Sequence, residues 1–125
     1  MDNLDFTEEF CRFLQETIPA VDAAELLLWY HTHQEKAFAL EEAVAKLGPR
    51  ISTGDAEKYL TLFEAQGLIG QVEGGYRYRP ESELAPQVER LALAYNRRPV
   101  TLIRVIYAFR DSGIKSFAEA FRLRK

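Results

Sequence analysis

The sequence predicts a mainly α-helical protein with one small β-hairpin. Three observations predict it. Apolar residues recur at helical spacing in successive stretches, most of them bounded by a capping residue, a proline or a glycine. After Gly67 the apolar period changes from 3.6 to 2. The period-2 stretch is interrupted by Gly74-Gly75, a hairpin signal. At 125 residues the chain is long enough to bury a core, and 47% apolar with 28% charged residues is ordinary for a globular protein. One cysteine rules out a disulfide framework, so packing must supply the stability.

The first helix is expected over Phe6 to Thr17, with Phe6, Phe10, Phe13, Leu14 and Thr17 on one face and Pro19 ending it. The second is expected from Ala23 to Lys36, with Asp22 as cap and Glu25 closing a capping box. Leu26, Leu27, Leu28, Trp29 and Tyr30 make its middle apolar nearly all round, as in a central helix covered on more than one side. Leu40 to Leu47 reads as a short helix with Leu40, Val44 and Leu47 inward, ended by Gly48-Pro49. Ser52 caps the next helix and Asp55 suits the positive end of its dipole. Ala56, Leu60 and Phe63 share a face of that helix, and Gly67 stops it.

Leu68 to Val72 and Tyr76 to Arg79 are the two strands, with Gly74-Gly75 as the turn. Tyr76 and Tyr78 then point to one face, Arg77 and Arg79 to the other. Pro86 sets a helix start near Ala85, with Val88, Leu91, Ala92 and Tyr95 as its stripe. Pro99 opens the segment Val100 to Asp111, closed by Gly113. Its Val, Ile, Tyr and Phe content suits a strand, but length, proline start and glycine stop favour helix. Ser116 and Glu119 form a capping box for a last helix anchored by Phe117 and Phe121.

Net charge is -3, which excludes a strongly basic nucleic-acid coat. The charge is uneven. Residues 1–75 carry 14 acids and 5 bases, and residues 76–125 carry 5 acids and 11 bases. Such asymmetry marks an interaction tail or two halves that face each other. The acidic opening MDNLDFTEEF lacks the basic start of a secretory signal. The most apolar run, Val100 to Phe109, is half the length of a membrane span and contains Arg104. A cytoplasmic protein is expected.

Three helices followed by a two-stranded hairpin is the order of a winged helix-turn-helix. Leu40, Val44 and Leu47-Gly48 resemble the first helix of that motif and its turn. Ala56, Leu60, Phe63, Gly67, Leu68 and Ile69 resemble the recognition helix and its exit in regulators of the MarR and ArsR kind. Val72 to Tyr78 looks like the wing. The remainder, with Tyr95, Pro99-Val100 and Phe117 to Phe121, is similar to small bacterial winged-helix proteins. The resemblance implies an N-terminal helix over residues 1–21, a winged helix-turn-helix over 22–80 and a helical extension over 81–125. It implies DNA contact through Arg50, Thr53, Gly54, Glu57, Lys58, Arg77 and Arg79.

The candidate recognition helix holds Asp55, Glu57 and Glu64 against Lys58 alone. Phosphate neutralisation needs lysine and arginine, and base readout commonly uses Arg, Lys, Asn or Gln. A rival role therefore stands beside DNA binding: a winged-helix adaptor that binds another protein. Arg77 and Arg79 suit a phosphate grip or the protection of an exposed strand edge.

The remaining chemistry-bearing residues suggest neither enzyme, metal nor cofactor. His31 and His33 are two apart and do not share a helix face, so they do not chelate one ion. Cys11 lies beside an apolar face with no base or orienting group in its pattern, as a small buried side chain would. Gly48 to Gly54 lacks the G-K-[ST] of a phosphate loop. Trp29 and Tyr30 fit either a core or an effector pocket, and core is the commoner place for aromatics on a central helix.

The leading expectation is a non-enzymatic transcription regulator acting as a homodimer. Val100 to Phe109 is too apolar to be left open on a small winged domain, and two-fold dimers are the commonest oligomers. The expected interface uses Phe6, Phe10, Phe13, Leu91, Tyr95, Leu102, Ile106, Phe109, Phe117 and Phe121.

Overall fold

The computed structural model describes residues 6–111. Its helices are α1 (Glu8–Thr17), α2 (Val21–Thr32), α3 (Leu40–Leu47), α4 (Thr53–Ala65), α5 (Ala85–Arg97) and α6 (Pro99–Asp111). A two-stranded antiparallel sheet is made by β1 (Ile69–Val72) and β2 (Gly75–Tyr78). The protein is thus mainly helical with a small hairpin. The described residues divide into two compact units, one of residues 6–21 with 87–111 and one of residues 22–86.

The first unit contains α1, most of α5, and α6. Thr7 caps α1, its hydroxyl accepting from Phe10 N at 3.1 Å, and Glu8 and Glu9 lie in the first turn. The buried face of α1 is Phe10, Cys11, Phe13, Leu14 and Thr17, and α1 packs on α6. Phe6 stacks at a tilt on Phe10 with centroids 5.5 Å apart. Cys11 is buried, as its position beside the apolar face predicted. Only Arg98 separates α5 from α6. Pro99, with no N–H to donate, starts the new helix, while Arg98 N still reaches Ala94 O at 2.8 Å. The strand alternative for Val100 to Asp111 is overturned. Leu102, Val105 and Ile106 are buried at helical spacing.

The second unit contains α2, α3, α4 and the hairpin. Along α2, Ala23, Ala24, Leu26, Leu27 and Tyr30 are buried, with Leu28 and Trp29 half-buried. Asp22 does not cap this helix. The helix begins at Val21, two residues earlier than expected, and the Asp22 carboxylate instead accepts from Tyr59. The helix also ends at Thr32, four residues short of the expected Lys36, because residues 33–36 turn toward Phe38. In α3 the buried positions are Ala43 and Leu47, while Leu40 and Val44 are half-buried. The helix is rotated so that Ala43, rather than Leu40 or Val44, faces inward with Leu47.

Phe38 supplies a strand position that the hydrophobic period does not announce. Its N–H donates to Tyr76 O at 2.8 Å, and its carbonyl accepts from Tyr76 N at 2.9 Å. The free edge of β2 is thereby paired. The hairpin turn is Glu73-Gly74, and Gly75 is already in the strand opposite Val72, so turn and second strand begin one residue earlier than expected. Gly75 has φ +134°, and a Cβ there would collide with the Phe38 carbonyl. Glycine at 75 is what lets the segment before α3 approach the hairpin.

Six of the ten residues expected at a dimer interface, Phe6, Phe10, Phe13, Leu91, Leu102 and Ile106, are buried within the single chain. The chain covers these side chains itself, so they do not form an open face for a second copy. Tyr95 and Phe109 are half-buried. Phe117 and Phe121, with Gly113, Ser116 and Glu119, lie outside the described residues.

Candidate interaction surface

The surface is built on α4 and the hairpin of the second unit. Ile51 is buried and closes the short 3-10 turn Gly48–Arg50 that leads from α3 toward α4. Ser52 then caps α4, its hydroxyl accepting from Asp55 N at 3.1 Å. Ala56, Leu60 and Phe63 are fully buried on one side of α4. Because successive helical residues are about 100° apart, Thr53, Gly54, Glu57, Lys58, Thr61 and Glu64 remain exposed. Tyr59, between the two sides, donates its hydroxyl to Asp22 Oδ1 at 2.9 Å and ties α4 to the first turn of α2.

After α4 the chain reverses at Gly67, φ +83°, a conformation that residues with a Cβ rarely adopt. Gly67 O accepts from Glu81 N at 2.9 Å and Leu68 O from Arg79 N at 3.0 Å, so the strand following the turn is led back to the end of α4. In β2, Tyr78 is buried and Tyr76 half-buried, while Arg77, and Arg79 just past the strand end, are exposed, as the alternation predicts. Glu73 is exposed at the hairpin tip.

The cations expected to meet DNA are partly engaged by the protein itself. Arg50 Nε donates to Leu47 O at 3.4 Å, and its Nη1 is 3.5 Å from Glu25 Oε2. Arg77 Nε donates to Gln34 O at 3.1 Å. The Arg50 side chain is 60% exposed, so its bond to Glu25 is a weak tether rather than a lock. Lys58 and Arg79 are exposed. The sequence pattern did not reveal the Arg50 and Arg77 partners, which lie 25 and 43 residues away along the chain.

A half-buried aromatic group sits at the C-terminal end of α2. The His33 ring lies 4.3 Å from Trp29, and Phe38 meets Trp29 edge-on at 5.0 Å. His33 Nδ1 is 2.8 Å from Trp29 O, a carbonyl, so Nδ1 carries the proton. His31 instead meets Tyr78 edge-on at 5.2 Å. The two histidines therefore serve different neighbours. Among the described residues no group of three His, Cys, Asp or Glu side chains is placed to hold a metal ion. Tyr30 is fully buried and donates to Phe38 O at 3.0 Å. Burial, with smaller contributions from Tyr76, Glu42 and Glu41, pushes its hydroxyl pKa up.

No helix among the described residues is long and apolar enough to cross a membrane. Comparison with protein-family models, with curated proteins and with solved structures finds no match to this chain.

Proposed function

We propose that residues 22–86 act as a winged-helix binding module, without enzymatic activity, and that its partner is a protein carrying a basic surface. The element order supports the winged-helix assignment: α2, the Phe38 strand position, α3, α4, then β1 and β2, with Phe38 paired to the hairpin. The choice of partner rests on one observation. Glu57 and Glu64 on the exposed side of α4, and Glu73 at the hairpin tip, put carboxylates where a winged helix would approach DNA. A phosphate backbone is repelled by such a surface, and a basic protein surface is attracted to it.

Fluorescence anisotropy with generic duplex DNA at low and at physiological salt tests the reading. The expected result is no binding at either salt. Binding at low salt that falls steeply as salt is raised overturns it.

A second reading, a DNA-binding transcription regulator, is favoured by exposed Arg77 in β2, Arg79 just after it and exposed Lys58. In that case Arg77→Ala with Arg79→Ala weakens binding to all sequences, and each lost phosphate contact lowers the slope of log K against log salt by about 0.9. Such a regulator is expected to work as a homodimer that presents two α4 helices, and sedimentation equilibrium separates it from the adaptor.

A further inference from the structure

We draw no further inference here: the strongest candidate, the surface patch that exposed Val100, Arg104 and Tyr107 form on the outer side of α6, carries nothing because nothing in the structure shows what covers it.

Discussion

Tyr59 on α4 and Asp22 on α2, 37 residues apart in sequence, share a hydrogen bond of 2.9 Å from hydroxyl to carboxylate. The bond is part-buried and ties α4 to the first turn of α2. It is consistent with the orientation that burial of Ala56, Leu60 and Phe63 gives α4, which leaves Glu57 and Glu64 outward. A bond to a charged acceptor in partial burial contributes about 1–2 kcal/mol. Tyr59→Phe should lower the urea unfolding free energy by that amount without changing the slope. No measurable loss would mean that water replaces the bond.

The two sides of α4 should respond differently to truncation. Phe63→Ala empties a fully buried site and should cost about 3–5 kcal/mol. Glu57→Ala changes only an exposed side chain and should stay within about 0.5 kcal/mol. Comparable losses at the two positions would mean that α4 is rotated from the orientation described.

Two glycines separate conformational need from tolerance. Gly75→Ala meets both a positive φ and the Phe38 carbonyl, and should destabilise by about 1–3 kcal/mol. Gly54 is helical with nothing within 4 Å of an added Cβ. Gly54→Ala should therefore stabilise, by up to about 1 kcal/mol. Thermal melts of the two variants should move in opposite directions. A Gly75→Ala variant that melts no lower than the wild type would show that the close approach of Phe38 to Gly75 does not exist in solution.

Reversing charge on α4 tests whether this helix has the placement of a recognition helix. Glu57→Lys with Glu64→Lys should give duplex DNA binding that the wild type lacks, with each phosphate contact adding about 0.9 to the salt slope. A double variant that stays inert at low salt would show that the outer side of α4 does not reach a duplex, and would remove the winged-helix module from the proposal.

Alkaline stability should report the Tyr30 hydroxyl. Its folded pKa lies above the ordinary value of 10.0, chiefly because burial disfavours the phenolate. Below pH 10 both folded and unfolded chains keep the proton, and the contribution is complete. Above pH 10 the unfolded chain loses the proton while the folded chain holds it, so stability falls by up to about 1.4 kcal/mol per pH unit. Tyr30→Phe should flatten this loss relative to the wild type, at the cost of the bond to Phe38 O. An unchanged alkaline slope would mean that Tyr30 is not sealed from water.

The sequence by itself determined the features that a few consecutive residues can specify. The Ser52 cap, the Gly67 stop, the Ala56, Leu60 and Phe63 face and the Pro99 break depend on local backbone angles and on side-chain period, and each is found where the pattern put it, while the two strands are found with their starts shifted by one residue. The Asp22 cap failed for a related reason: a carboxylate that reads locally as a cap was claimed by a hydroxyl 37 residues away. Packing alone decided that Phe38 pairs with Tyr76, and that Arg50 and Arg77 turn toward acceptors 25 and 43 residues distant. It also decided that Phe6, Phe10, Phe13, Leu91, Leu102 and Ile106 are covered by their own chain, leaving Val100 and Tyr107 outside. A hydrophobic pattern states that a face must be buried. Which surface buries it, and which acceptor stands within 3.5 Å of a given guanidinium, depends on how the elements come to rest against each other in three dimensions.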